Sequence, residues 1–117
     1  MNGQMPDKKK FFLMMQGVKD FMRSQPEEVK RELNCIIWKL ETEGFLSMPF
    51  GEKLSGENLF AIRVMQAANI RIFYAYGVRD FVFGLHGYVK KTQEIPEKEL
   101  QQAHRVLKQL IQGGYIK

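Results

Sequence analysis

The side chains best able to do chemistry in this sequence gather where an alternating stretch gives out. "LHGYVKKTQEIPEKEL", residues 85–100, carries His86, Tyr88, Lys90, Lys91 and Thr92 just ahead of a proline. Upstream, Arg63 and Arg71 lie in two further alternating stretches, and Lys53 in a Pro- and Gly-containing segment. Guanidinium and ammonium groups stabilise negative charge building on phosphoryl oxygens. A histidine, or a lysine whose pKa is depressed by cationic neighbours, can move protons. RNA supplies its own nucleophile, the 2′-hydroxyl, so such a set needs only to orient it and stabilise charge, with no metal. The obvious base, a carboxylate or second histidine close by, is missing. Taken alone, each residue also has an ordinary reading: the lysines as surface, His86 as a packing residue, the arginines as a solvated face.

The cation-bearing stretches alternate with period two. "LFAIRVMQ", "IRIFYAY" and "FVFGLHGYV" are rich in β-branched and aromatic residues and are separated by "AAN" and "GVRD". They predict three consecutive strands paired as an antiparallel meander. Parity puts Ile70, Ile72, Tyr74 and Tyr76 on one face, and Arg71, Phe73 and Ala75 on the other. Phe60, Ile62 and Val64 likewise oppose Ala61, Arg63 and Met65. A sheet covered by helices on one side therefore presents Arg63 and Arg71 together on its open side. Strict alternation groups His86 with Val82, Gly84 and Tyr88. Tyr74, Tyr76 and Tyr88 offer stacking surfaces for single-stranded RNA, although Tyr74 and Tyr76 share the parity of a core.

Helices must position this sheet. Residues 17–23 have helical spacing, and Pro26 at a first helical position, followed by Glu27 and Glu28, opens a longer helix. Val29, Leu33, Ile36, Ile37 and Leu40 form its apolar stripe, which ends before Gly44. Cys35 and Trp38 point off that stripe, and Trp38 either covers a second packing surface, the preferred reading, or meets a partner. Residues 8–15 fit a short strand or a helix start, and residues 45–58 fit a loop. Pro96 opens a last helix buried through Leu100, Ala103, Leu107, Leu110 and Ile111, ending at Gly113-Gly114, with His104 at the edge of its stripe. The order predicts an α+β fold: an N-terminal helical hairpin packed on one face of a small meander, followed by a C-terminal helix. Residues 1–7 read as a loose end and residues 8–117 as one domain.

Composition narrows the classes. The formal charge of +5 suits a polyanionic partner. The longest apolar run, residues 11–15, falls far short of the ~20 residues a membrane span needs and lacks the flanks of a secretory signal. One cysteine allows no internal disulfide, which fits a reducing cytoplasm. Two histidines without a carboxylate cluster make a poor metal site, so neither metal nor cofactor is expected.

The stretches "LFAIRV", "NIRIFYAY" and "FVFGLHGYVKKTQEIPEKELQQA" resemble the HigB-like, phage-derived branch of the RelE/ParE toxin superfamily of type II toxin–antitoxin systems. "VKDFMRS" and "IIWKLETEG" extend the resemblance over residues 8–112, and residues 85–96 are its most specific part. The resemblance implies a RelE-like fold and cleavage of messenger RNA, usually on the translating ribosome. It also implies a helix-turn-helix antitoxin as partner in a toxin–antitoxin hetero-oligomer. By position Arg71 corresponds to the family's mid-sheet arginine and Lys91 to a basic residue at the end of its final strand, while Arg63, Lys53, His86 and Lys90 match as neighbouring polar positions. On the nuclease reading Arg71 and Lys91 stabilise the transition state, His86 or Lys90 assists proton transfer, and Lys53, Arg63 and Tyr88 hold RNA. The sequence departs from the branch at Ala61, where a glutamate is usual, at Ile95, where a threonine caps the helix, and at Tyr88, where phenylalanine is usual. Fold alone leaves two further readings: a non-catalytic toxin-fold binding module that binds RNA or sits in an antitoxin–DNA complex, and a gyrase poison.

Overall fold

The computed structural model describes residues 7–54 and 56–117; most of the expected loose end, residues 1–6, lies outside the described residues. Among the described residues eight elements follow in order: β1 (Phe11–Met14), α1 (Gln16–Arg23), α2 (Glu27–Glu43), β2 (Gly51–Lys53), β3 (Phe60–Val64), β4 (Ile70–Tyr76), β5 (Phe81–Val89) and α3 (Glu97–Gln112). The strands form one open sheet in the order β1-β5-β4-β3-β2, giving a mixed α+β fold. β2 to β5 pair antiparallel, while β1 joins β5 in parallel. The expected meander is its centre. Two edges extend it: the stretch read as strand or helix start is the parallel strand β1, and the stretch read as loop contains the three-residue β2.

Each helix begins and ends where its chemistry dictates. Pro26 and Pro96 stand at the N-caps of α2 and α3, one residue ahead of the first helical turn, where a missing amide costs nothing. Glutamates follow in both first turns, facing the positive end of the helix dipole. Gly44 stops α2 in a left-handed conformation (φ 89°), with its amide bonded to Leu40 O.

The helices lie on both faces of the sheet, which corrects the expectation of a single covered face. On one face Val18, Met22, Val29, Leu33, Ile36 and Leu40 of α1 and α2 pack against Ile62, Val64, Ile70, Ile72, Tyr74 and Val82. On the other, Ala103 and Leu107 of α3, with Ile116, pack against Ala61, Phe73, Ala75, Phe83, Leu85 and Tyr88. The physical reason is that β3 to β5 carry apolar residues at both parities. The two arginines make only part of the second face polar, and α3 covers the rest. Trp38, expected to cover a second packing surface, is 44% exposed instead, and Cys35 is exposed as its place off the stripe implies.

β5 departs from strict alternation. Its pairing with β4 steps from Phe73↔His86 to Tyr74↔Gly84, so Leu85 is an extra residue, a bulge. Beyond it the faces exchange. Gly84 and Gly87 both look toward the hairpin side, where an added Cβ would meet the Phe12 ring at 2.9 Å and the Phe21 ring at 2.8 Å. Among the described residues no helix is long and apolar enough to cross a membrane.

Candidate anion site on the α3 face

Two cross-strand rows build the polar end of the α3 face. Arg63, Arg71 and Tyr88 stand opposite one another across β3, β4 and β5. In the next row Glu52, Ala61, Phe73 and His86 run across β2 to β5. His86 reaches this face only because of the bulge; it shares the face with Tyr88 but not with Val82 and Gly84, contrary to the expected grouping. Its ring lies parallel to those of Phe73 and Tyr88, at 6.4 Å from each, which fixes its plane.

Like charges placed directly opposite on adjacent strands repel, yet Arg63 and Arg71 are paired in register. Arg71 is 5% exposed. Its Nη1 donates to Asn69 Oδ1 at 3.1 Å and to Ile70 O at 3.2 Å. Its Nε sits 3.7 Å from Glu52 Oε1, within ion-pair range but too far for a hydrogen bond, and has no partner. Arg63 Nη1 reaches Pro49 O at 3.3 Å, and its Nε is also buried without a partner. The third such atom among the described residues is the hydroxyl of Tyr88. All three belong to one row. Burial, then the positive charge of Arg63, pulls the Arg71 pKa below its ordinary value, against the pull of Glu52. Burial pushes the Tyr88 phenol up; Arg71 opposes that shift, and Glu99 and Glu52 add to it. Together these side chains form a desolvated cationic spot with unfilled donors, the requirement of an anion.

The carboxylates that the sequence lacked nearby come from other elements. Glu99, in the first turn of α3, holds His86 Nε2 at 2.7 Å. Glu52 on β2 stands opposite Ala61, whose small side chain leaves its carboxylate free to lie toward Arg71. A base oriented by a carboxylate beside paired guanidinium groups can accept a proton and stabilise developing phosphoryl charge. Neither glutamate was singled out from sequence. Glu99 lies thirteen residues beyond His86, and only a helix folded back over the sheet joins them.

The other expected site residues are placed differently. Lys53 pairs with Phe60, on the opposite face, with its ammonium 5.9 Å from the Phe60 ring; the structure does not bring it to Arg71. Lys90 turns its ammonium onto the carbonyls of Thr92 and Gln93, the latter at 2.7 Å, so it staples its own loop. Lys91 is exposed at a cavity of about 440 Å³ lined also by Asn69, Lys90, Thr92 and Gln93. His104 is paired with Glu57 at 3.1 Å, away from these rows.

Compared with curated proteins, the chain matches none. Residues 20–108, which span both arginines, His86 and Glu99, match the family model described as phage derived protein Gp49-like (DUF891). The chain therefore belongs to the phage-derived Gp49-like family.

Proposed function

We propose that this protein is the toxin of a type II toxin–antitoxin pair and that it cuts messenger RNA in the cytoplasm, on translating ribosomes, without a metal. The Gp49-like family is associated with toxins of such systems. One observation carries the reading to this chain: Arg63 and Arg71, opposed in register, keep buried donors unfilled beside a carboxylate-held histidine. His86, oriented by Glu99, takes the proton of the 2′-hydroxyl. The 2′-oxygen attacks the adjacent phosphorus, and Arg63 and Arg71 stabilise the charge on the phosphoryl oxygens. The bond to the 5′-oxygen breaks, leaving a 2′,3′-cyclic phosphate and a 5′-hydroxyl end once that oxygen has taken a proton from water. Lys91 holds the RNA backbone at the mouth of the site. The partner that silences the activity is a helix-turn-helix antitoxin.

A second reading, a non-catalytic module that grips a phosphate, is favoured by the deep burial of Arg71 and by Ala61. Mapping transcript 5′ ends after induction separates the two. The expected result is new 5′-hydroxyl ends with the wild type, reduced by roughly 10²–10⁴-fold in His86→Ala. Intact transcripts at full growth arrest would overturn the nuclease, and a rising DNA-damage response with them would mark a gyrase poison.

A further inference from the structure

Asn69, in the turn between β3 and β4, is exposed, yet its amide makes no use of solvent alone. Its Oδ1 accepts from Arg71 Nη1 at 3.1 Å, and its Nδ2 donates to Lys90 O at 3.0 Å. Its backbone carbonyl accepts from Lys90 N at 2.8 Å. One residue thus ties the start of β4 to the end of β5 and holds the guanidinium between them. The consequence for Arg71 is directional. A guanidinium offers a planar fork of donors and binds a phosphate side-on through two neighbouring nitrogens. Nη1 is already taken twice, by Asn69 Oδ1 and Ile70 O. Nε is buried and unpartnered, with the Glu52 carboxylate at 3.7 Å as its nearest counter-charge. Glu52 retains access to water, with a third of its side chain exposed, so it can yield to an incoming anion.

We propose that Asn69 is a positioning residue: by occupying Nη1 it turns the Nε–Nη2 edge of Arg71 toward a phosphodiester. This deepens the nuclease reading and rests on it for the identity of the anion as RNA, though not for the anion site itself. The same amide fixes the backbone of Lys90, hence the loop bearing Lys91 and the adjoining cavity. Asn69 therefore sets the two cationic sides of the site relative to each other.

The first measurement follows the Arg71 Nε resonance of ¹⁵N-labelled protein during titration with inorganic phosphate. Phosphate should shift it in the wild type and leave it unmoved in Asn69→Ala. Asn69→Asp, which keeps the acceptor for Nη1 and loses the donor to Lys90 O, should preserve the shift; it also serves if the alanine variant does not fold. The second measurement is cleavage of messenger RNA on translating ribosomes. Asn69→Ala should lower kcat about a hundredfold, the size a misplacement near 1 Å produces. In an Arg71→Ala background the same Asn69→Ala change should cost far less than a hundredfold, since the guanidinium it positions is already gone. Equal phosphate shifts in wild type and Asn69→Ala, no shift in the wild type, or independent multiplying losses would each overturn the proposal. A phosphate response that depends on Asn69, together with uncut RNA, would leave it standing and sink the nuclease alone.

Discussion

The two faces of this sheet are made from the same five strands and solve opposite problems. The face under α1 and α2 is filled with aliphatic and aromatic side chains, and its polar atoms are matched, as where Tyr76 donates its hydroxyl to Gly44 O at 3.1 Å. The face under α3 is apolar at one end only. At the other it holds Arg63, Arg71 and Tyr88, and with them every buried side-chain polar atom lacking a partner among the described residues. An unfilled buried donor costs about 1–3 kcal/mol. Concentrating three of them in one row, across from a face with none, separates the part of the molecule that keeps it folded from the part poised to bind. Local violations of good packing are expected at functional sites and are offset elsewhere.

The largest effect expected from this contrast is on stability. Leu33, 1% exposed on α2, packs into the hairpin-side core, and Leu33→Ala should lose about 2–5 kcal/mol in denaturant unfolding. A loss under about 1 kcal/mol would mean that the hairpin-side face is not the main source of stability.

Arg71→Met reverses the pattern. Exchanging a poorly compensated buried charge for an apolar chain of similar length is commonly neutral or stabilising. Unfolding free energy should therefore hold or rise, while RNA cleavage falls by roughly 10²–10³-fold, the cost of removing one transition-state donor. A variant that unfolds more easily yet still cuts RNA would make Arg71 a structural residue and erase the difference between the faces.

How much of this was legible in sequence follows from the range of each interaction. The meander, the α2 stripe and both Pro-led helix starts are local patterns, and they read correctly from residue types alone. β1 pairs with β5 across seventy positions, Phe11 against Phe81, and no local signal encodes that choice. β2 has only three residues inside a Pro- and Gly-containing segment, too few to display a period. The site suffered from parity. Arg63 and Arg71 were placed on a common face because β3 and β4 are regular. Lys53 was grouped with them although its pairing with Phe60 sends it to the other face, and its neighbour Glu52 takes the place beside them. The bulge at Leu85 moved His86 off its expected face. One clue was present: Gly84 and Gly87, three apart, both make room for hairpin-side phenylalanines, a spacing that unbroken alternation forbids.

The smallest effect expected joins the two faces. Glu32, on α2, spans to the turn that leads into Asn69, accepting backbone amides from Met65 at 2.8 Å, Gln66 at 3.0 Å and Ala67 at 2.7 Å. Burial pushes its pKa up, but the three amide bonds outweigh burial and bring it below the ordinary value of 4.5. Because the folded value is the lower one, the stabilisation is complete above the unfolded pKa and is lost as pH falls through the folded pKa. Glu32→Gln keeps the length but gives up the charge-assisted bonds, and should cost about 1 kcal/mol at pH 7. The gap between wild type and variant should then close as pH is lowered from the ordinary carboxylate value through the depressed folded one, because the protonated glutamate becomes as poor an acceptor as the amide. A gap constant over that range would mean that the turn is held by backbone geometry alone. The stable face would then have no charged grip on the turn that carries Asn69 toward Arg71.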